Sequence, residues 1–88
     1  MYVEAFMSIA QNSVMEKALR YKFARKIKLE RAKRDWTQEA LADYAGISRS
    51  VMGHIERAEY STTLDTIEKL AKALGLEPKE LFDFSDIK

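Results

Sequence analysis

With 88 residues, a net charge of +1, no cysteine and one histidine, the chain is expected to form one small domain without disulfides, thiolate or histidine-pair metal sites or nucleophilic thiols. The apolar fraction of 47% and charged fraction of 33% describe a folded soluble protein, although at this length only roughly 60–65% of the unfolded surface is buried. No apolar run approaches the ~18–20 residues of a membrane span, and Met1–Phe6 carries an early acid and no basic lead, so a cytoplasmic protein is expected rather than a secreted one.

The first dozen residues, 1–12, form an extension whose apolar members Tyr2, Val3, Phe6, Met7 and Ile9 suggest an extra helix packed on the domain or on a partner. The domain proper is expected over 13–88. Ser13-Val14-Met15-Glu16 has the form of a capping box, and the stripe Leu19, Phe23, Ile27, with Ala24 and Arg31 beside it, predicts a helix over about 14–34. Asp35 is placed to end it in the left-handed conformation. Thr37 is the next N-cap, with Trp36 stapling onto Leu41, and that helix runs from Gln38 to Ala45 and stops at Gly46. Ser48 caps a third helix, stapled by Ile47 and Met52, that ends near Arg57 or Ala58. Glu59–Thr63 reads as a loop. The stripe Leu64, Ile67, Leu70/Ala71, Leu74 marks a fourth helix closed by Gly75, with Leu76 folding back on Ala71. Pro78 suits the first turn of a short fifth helix through Leu81 and Phe82. No segment alternates long enough to make a strand, so the expected fold is a compact all-α, five-helix domain.

Charge is unevenly spread. Residues 1–58 carry eleven Lys/Arg against seven Asp/Glu, and residues 59–88 carry four against seven. Nine of the basic residues lie from Lys17 to Arg34, accompanied only by Glu30. Such a stretch is either a solvated helix face or the electrostatic footprint of a polyanion, and a second signal has to decide. Catalytic chemistry finds no footing: Gly46, Gly53 and Gly75 are too far apart to build a phosphate-cradling loop, and no metal, cofactor or small-molecule ligand is implied.

The second signal lies in Gln38–Arg57. Two short helices joined by a tight glycine turn need a small residue where they cross, a positive φ at the turn and apolar inward positions. Ala42, Gly46 and the set Leu41, Ala45, Ile47, Met52 and Ile55 supply these in turn. With Met52 and Ile55 facing inward, Ser48, Arg49, Ser50, Gly53, His54 and Arg57 fall on the opposite face. Arg49 can pair bidentately with guanine O6 and N7, Ser50 can donate or accept, Val51 borders the face within reach of a thymine methyl, and His54 can donate to a base or a phosphate. Glycine inside a helix costs about 1 kcal/mol relative to alanine, and Gly53 would repay it by letting the helix backbone approach DNA closely.

The motifs Ile27-Lys28-Leu29-Glu30-Arg31, Trp36-Thr37-Gln38-Glu39-Ala40-Leu41-Ala42, Gly46-Ile47-Ser48-Arg49-Ser50, Ile55-Glu56-Arg57 and Thr63–Gly75 resemble the Cro and phage-repressor (XRE) class of helix-turn-helix domains over about residues 24–83. The resemblance implies a homodimeric DNA-binding regulator acting on a palindromic operator. In size the chain resembles phage Cro, restriction–modification controller proteins or stand-alone repressors. The resemblance also implies that Arg49, Ser50 and His54 face base edges, while Val51, at the border, either touches a base or packs at the rim. Gln38 would hold a phosphate, with Thr37, Ser48, Arg57, Tyr60 and Ser61 as further backbone contacts, and Arg31 and Glu56 would form an ion pair tying the first helix to the recognition helix. Where the class usually has glycine after the recognition helix, this chain has Ala58, so either that helix continues toward Tyr60 or Ala58 adopts a left-handed turn. Leu81, Phe82, Phe84 and Ile87 offer more apolar surface than a short last helix buries, which marks them as a dimer interface. Two other classes compete: an antitoxin that binds a toxin partner as well as DNA, and a protein-interaction module that has lost DNA binding.

Overall fold

The first helix does not begin at Ser13. In the computed structural model, which describes the backbone of residues 2–87 and the side chains of residues 18–87, α1 runs unbroken over Tyr2–Lys33. At 1.5 Å per residue its 32 residues span about 48 Å, close to the 49 Å long dimension of the molecule. Ser13 and Glu16 can start a helix, but neither stops one, and residues 1–17 contain no glycine or proline that would. The capping-box side chains of Ser13 and Glu16, and the packing expected of Tyr2, Val3, Phe6, Met7 and Ile9, lie outside the described side chains.

The remaining elements are α2 (Gln38–Ala45), α3 (Arg49–Glu56), α4 (Leu64–Leu74) and a 3₁₀ helix, Pro78–Phe82. There is no strand among the described residues. Each α-helix after the first starts on a hydroxyl: Thr37 accepts from the Ala40 N–H at 3.0 Å, Ser48 from the Val51 N–H at 3.0 Å and Thr63 from the Thr66 N–H at 3.1 Å. The last element is a 3₁₀ helix rather than an α-helix. Pro78 opens it, and Glu80 turns back to accept the Glu77 N–H at 2.6 Å.

All four α-helices close in the same way, with a left-handed residue followed by a 6→1 bond. The closing residues are Asp35 (φ 55°), Gly46 (φ 70°), Ala58 (φ 57°) and Gly75 (φ 72°). The bonds run from the N–H of Trp36 to Arg31, Ile47 to Ala42, Glu59 to His54 and Leu76 to Ala71, at 2.9–3.1 Å. Helix α3 therefore ends at Glu56 and turns sharply at Ala58; it does not continue toward Tyr60. A Cβ at positive φ costs roughly 1–2 kcal/mol, more than the extra chain entropy that glycine loses on folding, about 0.5–1 kcal/mol. Ala58→Gly should therefore raise the melting temperature by about 2–6 °C in a scanning calorimeter. A lower melting temperature would contradict the strain at Ala58.

The core joins Phe23 and Ile27 of α1, Leu41, Ala42 and Ala45 of α2, Met52 and Ile55 of α3, Ile67, Leu70, Ala71 and Leu74 of α4, and Leu81. Trp36, Ile47, Val51 and Leu76 pack against its edge. Two residues of the expected stripes are outside it. Leu19 is 49% exposed and Leu64 is 83% exposed, because Leu19 precedes the turn where α1 meets the body and Leu64 is the first residue of α4. Leu81 is fully buried in the chain's own core and so is not available to the dimer interface expected of it. No helix among the described residues is long and apolar enough to cross a membrane.

Candidate nucleic-acid interface

The joint between α2 and α3 has the geometry its sequence requires. Ala42 is fully buried at the crossing, and Gly46 turns the chain at φ 70° with nothing near its missing Cβ. Met52 and Ile55 hold the inner face of α3 in the core. Arg49 and Ser50 are exposed on its first turn, His54 is half-buried one turn on, and Val51 is half-buried against the core edge. Ser48 and Thr37 are exposed, but their hydroxyls are already occupied as caps.

The base of this surface is fixed by one buried carboxylate. Glu56 receives Arg31 bidentately, Nε to Oε2 at 2.8 Å and Nη2 to Oε1 at 2.9 Å. Arg31 Nη1 also donates to the Trp36 carbonyl at 2.9 Å, so a single guanidinium ties α1, the α1–α2 turn and α3 together. The Arg31–Glu56 pair expected from the resemblance is present. Gln38, expected at a phosphate, donates Nε2 to Glu56 Oε1 at 3.1 Å. Its contact with α3 leaves its carbonyl oxygen and one N–H unassigned.

Arg49 of α3 and Arg57 at its C-cap each meet an acid. Arg49 Nη1 lies 3.4 Å from Glu39 Oε1, with both side chains well exposed, a pair worth about 0–1 kcal/mol. Glu59 accepts from Arg57 Nε and lies 3.3 Å from His54 Nδ1. The Arg57 hydrogen bond, chiefly, holds the Glu59 carboxyl below its ordinary pKa. Tyr60 packs its ring on His54, centroids 5.1 Å apart, and Ser61 accepts from Arg20 at 3.3 Å. Gly53 is not bare, as its place on the outer face suggested. Arg57 lies back over it, and a Cβ there would meet Arg57 Nη1 at 2.8 Å.

The basic stretch of α1 is largely spent within the molecule. Lys26 is 5% exposed and reaches Glu30 at 3.2 Å and both Asp86 oxygens at 3.1 and 3.2 Å. Lys33 pairs with Glu30 at 3.0 Å and Asp86 at 3.1 Å. Arg34 pairs with Glu30 at 3.0 Å, donates to the Leu74 carbonyl at 2.7 Å and stands over the Trp36 ring. With Arg31 on Glu56, four of the nine cations are committed to internal ion pairs, so the stretch as a whole is not a polyanion footprint. Lys22, Arg25 and Lys28 are exposed, the first two beside a groove with Tyr21, Phe84 and Ile87. Sequence reasoning missed the Glu30 network. The spacings Lys26–Glu30 and Glu30–Arg34 at i,i+4 carried half of it, while Asp86, 60 residues from Lys26, carried a half no local pattern reveals.

At the C-terminus, Phe82 is 41% exposed and stacks on Phe23 at 5.4 Å, with Phe84 edge-on at 6.4 Å. Phe84 and Ile87 are half-buried. Among the described residues no group of acids and histidine could hold a metal ion.

Comparison with known proteins agrees with this architecture. The helix-turn-helix family model matches residues 27–81. The control protein C.BamHI of Bacillus amyloliquefaciens is 39% identical over 74 residues, 83% of this chain and 91% of that protein. The immunity repressor of Bacillus phage phi105 is 44% identical over 52 residues, 59% of this chain but only 36% of the repressor. Among solved structures, the restriction–modification controller protein C.AhdI from Aeromonas hydrophila superposes with a TM-score of 0.70 at 39% identity, covering 73% of this chain and 97% of that one. On the family match and on relatives aligned over nearly their whole length, the chain belongs to the helix-turn-helix family of Cro- and phage-repressor-type transcriptional regulators.

Proposed function

We propose that the protein is a sequence-specific DNA-binding regulator that acts as a homodimer on a palindromic operator, with α3 in the major groove. The observation that carries this reading is the division of α3. Its inner face is locked in the core by Met52 and Ile55, while Arg49, Ser50 and His54 face outward at the end of a two-helix wedge. Arg49, Ser50, Val51 and His54 are assigned to base edges. Gln38, Thr37, Ser48, Arg57, Tyr60 and Ser61 are assigned to the backbone, where contacts fix register without reading sequence. For Thr37 and Ser48 that contact uses the N-terminal turns their hydroxyls cap, since helix N-termini favour anions. Within this reading residues 13–88 are the DNA-binding domain and 1–12 an extension of it. The small size and the controller-protein relatives support control of restriction–modification genes as the regulated process.

Dimerisation is assigned to Phe82, Phe84 and Ile87. They leave apolar surface uncovered, and a two-fold pair would set the recognition helices about 34 Å apart, one DNA turn. Selection from a random duplex pool should enrich an inverted repeat with half-sites spaced by that turn, and light scattering at micromolar concentration should give the mass of a dimer. An unenriched pool would contradict sequence-specific binding, and a monomer with and without DNA would contradict the two-fold arrangement.

A further inference from the structure

One acid stands where the proposed interface needs positive charge. Glu59 follows the left-handed Ala58, and its N–H closes α3 on the His54 carbonyl at 3.0 Å. That closure turns its carboxylate back toward the outer face of α3, onto Arg57 and to 3.3 Å from His54. Tyr60, packed on the His54 ring, flanks the same turn. Arg57 in turn lies over Gly53, in a space that any other residue's Cβ would contest at 2.8 Å. The missing side chain at Gly53 is therefore filled in the free protein by the protein's own arginine, held by the protein's own carboxylate.

We propose that Glu59 is an internal phosphate mimic that keeps Arg57 folded over Gly53, so that DNA must displace this carboxylate before α3 can seat fully. The inference rests on the reading of the outer face of α3 as the DNA-binding face and names the residue that sets its affinity. A carboxylate oxygen, like a non-bridging phosphate oxygen, is an anionic acceptor for Arg, and an exposed ion pair of this kind is weak enough to exchange. The exchange opposes backbone attraction, which is independent of sequence. Glu59 therefore lowers affinity for every duplex alike, while discrimination stays with Arg49 and its neighbours.

Glu59→Gln removes the charge and keeps the shape. For the full chain, titrated against the selected operator and a scrambled duplex of the same length, affinity should rise about three- to tenfold on both. The slope of log affinity against log salt should steepen by about 0.9, the share of one opposing charge. In the double variant Glu59→Gln/Arg57→Ala the gain should vanish, because the released cation is gone. If Glu59→Gln leaves affinity and slope unchanged, or weakens binding, while the wild type still prefers its operator, Glu59 is no mimic and the DNA-binding reading stands without it. If the wild type and Glu59→Gln bind neither duplex even at about 50 mM salt, the DNA-binding reading itself fails and takes the inference with it.

Discussion

Arg31→Met is expected to destabilise the protein by about 3–5 kcal/mol, the cost of leaving a buried charge without its partner. The Glu56 side chain is only 4% exposed, and the substitution would leave it the single hydrogen bond from Gln38. The Trp36 carbonyl would lose its donor as well. A domain of this size holds about 5–15 kcal/mol in total, so the loss should lower the melting temperature by at least 12 °C and leave α3 poorly fixed. Replacing both partners, Arg31→Met with Glu56→Leu, should recover much of the stability because no charge is then stranded. Thermal melts of the two variants followed by circular dichroism separate the cases. A single variant within 1 kcal/mol of wild type would contradict the cost of a stranded charge at Glu56.

Glu30→Gln is the second large effect, and it carries a pH signature. Burial pushes the Glu30 carboxyl up, but hydrogen bonds from Lys33, Arg34 and Lys26 outweigh it, so its pKa in the folded protein lies below the ordinary 4.5. The folded state therefore binds this proton less readily than the unfolded chain does. The resulting stabilisation is fully present above about pH 5 and is lost as the pH falls past 4.5 toward the lowered value. Asp86, held low chiefly by Lys33 and then Lys26, loses its stabilisation further into acid, as the pH falls below the ordinary 3.8, and then frees the C-terminal tail from α1. At neutral pH Glu30→Gln should cost about 3 kcal/mol, the lower end for a broken buried pair, since Asp86 still reaches the buried Lys26. In urea titrations from pH 7 to pH 3, wild-type stability should fall steeply on the acid side and that of Glu30→Gln less so. Parallel curves would mean that Glu30 binds its proton equally in the folded and unfolded states.

How far the sequence reveals these features depends on their range. Thr37, Ser48, Gly46 and Gly75 act within four residues of themselves, and the bounds of α2, α3 and α4 follow from them. Asp35 closes α1 for the same local reason. Ala58 left two outcomes open, because alanine prefers neither strongly enough without knowledge of where Glu59 can bond. The start of α1 at Tyr2 is not legible locally, because a capping pattern permits a helix start without forcing one. Leu19 and Leu64 repeat at helical spacing like core residues, but periodicity cannot tell which end of a stripe reaches the body. Leu81 has the composition of surplus surface, and only the packing of the 3₁₀ helix on α4 and α1 buries it. The charges were least legible. Nine cations in eighteen residues resemble a binding face; the spacings to Glu30 and the expected Arg31–Glu56 pair count against it, but only the fold brings Asp86 onto Lys26 and Lys33. Glu59 could be read in the sequence as an acid near the motif, but not as one folded back on Arg57.

The central claim is that α3 reads sequence through Arg49, the one long forked donor at its exposed N-terminal turn. The decisive measurement is the affinity of wild type and Arg49→Ala for the selected operator and for a scrambled duplex, at several salt concentrations. A base-reading arginine should cost about 1–3 kcal/mol on the operator, relax discrimination at one base pair per half-site and leave scrambled binding far less affected. An equal loss on both duplexes would make Arg49 a phosphate clamp and move base reading to Ser50 and His54.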